Sequence, residues 1–236
     1  MIDKNVLKKI DLYCKKKDQK FICIDGITCS GKSFFSKLLF KHLNKKYKNV
    51  ILISKDIFLL SRQKRIILLP RFKKYPKFNQ NELHYNQQKI KKLSDAIKKN
   101  KKIVFKSMYD RKTGKNNKKI IFNFNGAKII IFEGLYILKN FEEDKKNIFK
   151  ILIIENIYIS LIRKIKRIRD KKISIQNLIS EFTNLHLTSF KKYLKQYKFN
   201  VCLEVKVNNF IKNNSNQNKQ IASIIKFHKK HLFYKN

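Results

Sequence analysis

Short, almost uniformly apolar runs alternate along the chain with longer stretches in which apolar residues recur every three or four positions. The apolar runs are Phe21 to Asp25, Val50 to Ser54, Ile103 to Lys106, Ile129 to Phe132, Ile148 to Ile154 and Val201 to Val205. Strands without polar alternation are those whose two faces are both covered by helices, as in parallel sheets. Helical periods fall at about 32–46, 87–99, 157–169 and 175–197, with a further one at about 217–233. This order predicts an α/β fold with a doubly wound, mainly parallel sheet. One domain accounts for residues 1–236, with its core over 20–206 and a C-terminal helix over about 217–233. Two segments break the rhythm. Both prolines, Pro70 and Pro76, fall in a stretch after Ser61 that shows no period, which predicts a long connection with a functional role. Residues 116–125 alternate around Ile120, Phe122 and Phe124, which predicts a small hairpin ending at Gly126.

Candidate chemistry begins directly after the first strand. Gly26, Ile27, Thr28, Cys29, Ser30, Gly31, Lys32 and Ser33 fit the phosphate-loop pattern G-x-x-x-x-G-K-[ST], in a chain with only 5 glycines. In that pattern a glycine turn aims backbone N–H groups at phosphate oxygens. Lys32 then reaches the β/γ-phosphates, and Ser33 offers its hydroxyl to Mg²⁺ at a helix N-terminus. The expectation is a P-loop NTPase fold binding ATP or GTP with Mg²⁺.

With 16 carboxylates in 236 residues, each well-placed acid is informative. Ligands of doubly wound sheets bind beyond the carboxyl ends of the strands. Asp56 follows the second run, Asp110 the third, and Glu133 ends the fourth before Gly134. Gathered near Ser33, they would hold Mg²⁺ and leave one carboxylate free as a base. Simpler roles compete: Asp56 as a helix cap, Glu133 as a loop charge, Asp110 in a turn pair with Arg111.

The net charge of +41, from 57 basic and 16 acidic residues, raises nucleic acid as a partner. Only seven of the basic residues are arginine, however, and the lysines are spread along the whole chain. Readers of nucleic acid favour arginine for its bidentate and stacking contacts, so no specific nucleic-acid partner is expected. Cys14, Cys23, Cys29 and Cys202 show no C-x-x-C spacing and read as reduced thiols of a cytoplasmic protein. No apolar segment reads as a signal peptide or membrane span.

The same residues carry a family resemblance. The phosphate loop, Lys55-Asp56-Ile57-Phe58, Met108-Tyr109-Asp110, the segment Ile129 to Leu135 with Glu133-Gly134, and Leu161 to Asp170 follow one another as they do in the uridine kinase/phosphoribulokinase family of P-loop kinases, which the chain resembles over about 20–206. The resemblance implies transfer of a γ-phosphoryl group to a small-molecule hydroxyl, foremost the 5′-hydroxyl of uridine or cytidine. It implies that Asp56 activates that hydroxyl, that Glu133 serves the metal, and that Tyr109 packs on the nucleoside with Asp110 beside it. A short lid would bring Arg163, Arg167 and above all Arg169 to the phosphates. A homo-oligomer is compatible with such a kinase.

The departures lie on the acceptor side. Leu59 stands where the family usually has Tyr, and Lys74-Tyr75-Pro76 where it has D-H-P. Gly114 and Asn116 fall near the places of a base-reading His and Arg, and the lid run Asp170 to Ile173 is short. Lys74, Lys73 and Arg71 would suit an anionic acceptor, so a kinase of a sugar phosphate or of a pantothenate-like molecule is a rival reading. A nucleotide-binding protein without acceptor chemistry is a second rival.

Overall fold

The structure is a computed structural model and describes residues 2–15, 19–74, 83–141, 148–168, 175–198 and 201–206; the side chains of 69–74 fall outside the description. The elements run α1 (Lys4–Cys14), β1 (Lys20–Gly26), α2 (Lys32–Lys46), β2 (Val50–Ser54), a 3-10 turn (Lys55–Phe58), α3 (Arg62–Lys74), α4 (Gln87–Lys98), β3 (Lys102–Tyr109), β4 (Asn116–Asn123), β5 (Ile129–Glu133), β6 (Ile148–Ile154), α5 (Ile157–Ile168), α6 (Ile175–Glu181), a π-helical turn (Phe182–Leu187), α7 (Thr188–Tyr197) and β7 (Leu203–Lys206). The main sheet has five parallel strands in the order β2-β5-β1-β6-β7. This is the doubly wound arrangement expected, with β1 at the centre and every one of its residues buried.

Alternation along β1 assigns its side chains to the two layers. Phe21 and Cys23 pack with Ile130 and Phe132 against Leu93 and Ile97 of α4 and Phe105 of β3. Ile22 and Ile24 pack on the opposite face with Phe35, Leu39 and Leu43 of α2, Ile10 of α1 and Ile151 of β6. A third cluster joins Tyr136 and Leu152 to α5, α6 and α7 through Leu161, Leu178, Phe190 and Tyr193. Both faces of the sheet are therefore covered, which is why its strands needed no polar alternation.

Three expectations change. Ile103 to Lys106 does not join the main sheet: Lys102–Tyr109 pairs antiparallel with β4 in a separate two-stranded hairpin. Its lysines and Ser107 face solvent while Phe105 and Met108 are buried, the one-sided burial of antiparallel strands. Residues 116–123 are accordingly one arm of that hairpin instead of a hairpin of their own. Residues 62–74 of the segment after Ser61 form α3, and among the described side chains of that helix, 62–68, none is buried, with Ile66 and Ile67 56% and 69% exposed, so no buried stripe marked it. The C-terminal helix expected at 217–233 and the lid run 169–174 lie outside the described residues. Among the described residues no helix is long and apolar enough to cross a membrane.

The carboxylate of Asp25, fully buried near the end of β1, ties the layers together. It accepts from the backbone N–H of Gly26 (2.7 Å), Tyr136 (3.1 Å), Ile137 (2.8 Å) and Leu138 (3.3 Å), and from the hydroxyl of Tyr193 on α7 (2.5 Å). Burial holds its pKa above the usual carboxylate range, although these donors and the nearby Lys32 charge oppose the rise. Removing the hydroxyl in Tyr193→Phe is expected to destabilise the fold by about 1–3 kcal/mol, a Tm lower by about 2–10 °C in thermal melts. An unchanged Tm would show that the backbone donors alone hold Asp25.

Candidate functional site

The phosphate loop leaves β1 at Gly26 and enters α2 at Lys32. A Cβ on Gly26 would lie 2.7 Å from Ser30 Oγ and 2.8 Å from the Ile153 carbonyl, so the loop can close against β6 only through glycine. Cys29 and Gly31 take positive φ, 61° and 95°, which curls the loop before α2 begins. Phe34 and Phe35 N–H bond back to the Gly31 carbonyl and open the helix. Lys32 is buried and donates to the carbonyls of Gly26 and Ile27, both at 2.8 Å.

Thr28 to Phe34, Asp56, Tyr85, Arg111, Glu133 to Leu135, Arg163 and Arg167 line one cleft of about 440 Å³. That size suits a small-molecule ligand. Glu133, 5% exposed at the end of β5, accepts from the Ser33 hydroxyl at 3.2 and 3.3 Å. Burial raises its pKa and the neighbouring Asp56 carboxylate adds to the rise, while bonds from Ser54 and Ser33 and the Lys32 charge oppose it. A buried carboxylate facing a hydroxyl is a hard-oxygen donor set that fits Mg²⁺ bound through few protein ligands and phosphate oxygens. Among the described residues no cluster of three or more His, Cys, Asp or Glu offers an all-protein metal cage.

Asp56 sits in the 3-10 turn after β2 and lines the same cleft as the loop. Its neighbour Lys55 is fully buried and anchors the turn, donating to the Leu135 carbonyl (3.0 Å), the Tyr136 carbonyl (3.3 Å) and Asn140 Oδ1 (2.8 Å) beneath the ring of Tyr85. The exits of β2 and β5 are thus bolted together, which fixes Asp56 relative to Glu133.

On α5, Arg163 pairs with Glu155 at 2.9 Å and donates to the Cys29 carbonyl at 3.3 Å; Arg167 lies near the Cys29 sulfur. Both guanidinium groups therefore flank the phosphate loop. Arg169, expected as the foremost lid residue, lies outside the described residues, as do the side chains of Arg71 and Lys74.

Two expected acceptor residues are placed elsewhere. Asp110 does not line the cleft with Ser33 and Glu133, because β3 ends in the hairpin and not at the main sheet's carboxyl edge. Its N–H bonds the Lys115 carbonyl, its carbonyl receives the Gly114 N–H, and its carboxylate receives the Lys112 N–H at 2.9 Å, so it shapes the hairpin turn. Tyr109 is buried and its hydroxyl receives a bond from Arg65 at 2.8 Å, with the guanidinium stacked 5.0 Å above the ring. Sequence reasoning missed Asp25, Lys55 and Tyr85. A charged residue at the end of an apolar strand was the signal for Asp25; Lys55 and Tyr85 gave none.

No family model matches this sequence, and no curated protein does. Solved structures do. A protein described as a possible uridine kinase from Bacillus stearothermophilus is similar with a TM-score of 0.60 at 16% identity, over 85% of this chain and 98% of that one. D-glycerate 3-kinase from Cryptococcus neoformans is similar with a TM-score of 0.54 at 11% identity, over 88% of this chain and 95% of that one. At these identities the likeness shows the fold alone, a P-loop α/β fold, in keeping with the parallel sheet order β2-β5-β1-β6-β7.

Gly134 offers a direct test of the site's construction. A Cβ there would lie 2.4 Å from Lys55 Cβ, a clash that no rotation of the lysine relieves. Gly134→Ala is expected to cost about 1–3 kcal/mol of stability, read as a lower denaturant midpoint. An unchanged midpoint would show that the two strand exits are not held this closely.

Proposed function

We propose that this protein is a Mg²⁺-dependent kinase that transfers the γ-phosphoryl group of ATP or GTP to a hydroxyl of a small molecule. The observation that carries this reading is that Asp56 lines the same cleft as the phosphate loop and the Ser33–Glu133 pair, close enough to Glu133 for its charge to raise that carboxyl's pKa. A nucleotide-binding module would need the loop alone. A carboxylate in the same cleft is where an acceptor hydroxyl must lose its proton.

The roles follow from the geometry. Backbone N–H groups of 26–33 and the Lys32 ammonium bind the nucleotide phosphates. Ser33 and Glu133 would hold Mg²⁺, which on such phosphates neutralises developing charge. Asp56 orients the acceptor hydroxyl and accepts its proton. Arg163 and Arg167, beside Cys29, stabilise negative charge on the transferring group, where a positioned cation is worth orders of magnitude in rate. Within this reading, the 5′-hydroxyl of uridine or cytidine is the acceptor that the sequence resemblance supports. The wider class of hydroxyl acceptors rests on the cleft itself.

Two variants test the assignment, with ADP release followed over a panel of nucleosides, sugars, sugar phosphates and hydroxy acids. Asp56→Asn keeps size and removes the base, so kcat is expected to fall by about 10² or more with ATP affinity little changed. Full activity in this variant removes Asp56 from the mechanism. Lys32→Ala is expected to abolish most of the thermal stabilisation that Mg·ATP gives the native chain, since a ligand stabilises only the state that binds it. A persisting shift would place the nucleotide elsewhere.

A further inference from the structure

The seven arginines of this chain stand among fifty lysines, yet all seven fall in three segments, 62–71, 111 and 163–169. Lysine supplies generic charge everywhere else on this surface. A guanidinium differs from an ammonium in presenting a planar fork that grips a carboxylate or phosphate through two parallel bonds. Arginine is therefore concentrated where fork geometry has a use, and two of the segments have one already. Arg163 and Arg167 flank the phosphate loop, and Arg65 stacks on Tyr109 while its Nε donates to the Leu60 carbonyl at 3.0 Å.

Arg111 remains. It lines the cleft with Asp56 and Tyr85, on a hairpin whose β3 strand packs against the turn that carries Asp56. Among the described residues Arg111 makes no hydrogen bond or ion pair, neither with Asp56 nor with Glu133. The turn that presents it is held firmly from three sides. Arg62 N–H donates to the Gly114 carbonyl at 2.9 Å, Asn116 Nδ2 to the Leu59 carbonyl at 2.8 Å, and Arg65 to the Tyr109 hydroxyl. A rigid support with an uncommitted guanidinium on the acceptor side of the cleft is an anion grip held in advance of its ligand.

We propose that the acceptor carries an anionic group, a carboxylate or a phosphate ester, which Arg111 binds while Asp56 engages the hydroxyl. The proposal rests on the phosphoryl-transfer reading above and narrows its substrate class away from neutral nucleosides. An anion entering beside Asp56 and Glu133 meets their repulsion, and while Lys32, Arg163 and Arg167 serve the nucleotide phosphates, Arg111 is the cation of this cleft left to offset it.

The test compares matched neutral and anionic acceptors with the full chain and Mg·ATP: glycerol with glycerate, panthenol with pantothenate, ribose with ribose 5-phosphate, and uridine as the neutral nucleoside. Binding of the same compounds is measured by calorimetry on protein saturated with a non-hydrolysable ATP analogue. The expected result is that an anionic member is the best acceptor or ligand, and the pair in which this happens distinguishes carboxylate from phosphate. Arg111→Ala should raise the KM or Kd of that anion by about tenfold or more, with Arg111→Lys intermediate. Lys112→Ala, which removes an equal charge from an exposed neighbour outside the cleft, should leave it unchanged. Uridine or another neutral acceptor performing best, an Arg111→Ala variant with unaltered anion affinity, or no anion bound or phosphorylated would each overturn the proposal. Failure of the kinase reading itself has a separate signature, the absence of Lys32-dependent stabilisation of the native chain by Mg·ATP.

Discussion

The Asp25 carboxylate is the constraint on which the geometry of the cleft depends. It lies in the central strand one residue before the phosphate loop, and its partners come from the turn after β5 and from α7, at sequence separations of 111 to 168 residues. Because one carboxylate takes the first N–H of the loop and three N–H groups of the turn after Glu133-Gly134, the exits of β1 and β5 cannot move independently. The price of burying a charge in this position is high unless its lone pairs are filled, and here five donors fill them. The Ser33–Glu133 contact is a consequence, since it joins the first turn of α2, which follows the loop, to the last residue of β5, which precedes the turn.

A second clamp of opposite sign completes the frame. Lys55, fully buried, donates to two carbonyls of the same turn whose N–H groups serve Asp25. The turn at 135–138 is therefore held through its donors by an acid from β1 and through its acceptors by a base from the exit of β2. Three neighbouring strand ends are fixed by their backbone polar groups, and Asp56 inherits its position from the residue beside it. Preorganisation of this kind allows a base and a phosphate site to act on one substrate, because misplacement by about 1 Å is costly in rate.

What was legible in the sequence follows the range of the interactions involved. The strands of the main sheet, α2, and the phosphate loop are written in contiguous residues and stand in the structure where their patterns put them. Asp56 and Glu133 were candidates because one stands just past a strand and the other ends one, and the structure brings both to one cleft. Asp110 follows a strand as well, but apolar content alone does not reveal which sheet a strand joins, and β3 pairs with β4. The polar residues at Lys102, Lys106 and Ser107 were the available sign that one face of that strand is solvated. The partners of Asp25 and Lys55 lie about eighty to a hundred and seventy residues away, so no local pattern could announce them. Helix α3 was hidden for the opposite reason: Ile66 and Ile67 are exposed, and none of its described side chains is buried for a period to betray.

The charge of the chain acts on two scales that must be kept apart. At long range a net charge of +41 draws any polyanion, nucleotide phosphates included, toward the surface, and this effect is sequence-blind and screened by salt. At short range the field of fifty lysines does not decide the state of the acids that matter. Glu133 is held above the usual carboxylate range despite that field, because lost hydration and the Asp56 charge outweigh it. The distinction between lysine and arginine works in the same way. Lysine is enough for attraction, whereas binding an anion at a fixed angle beside a reacting hydroxyl calls for a group with direction, and Arg111 is the guanidinium that the hairpin holds in that place.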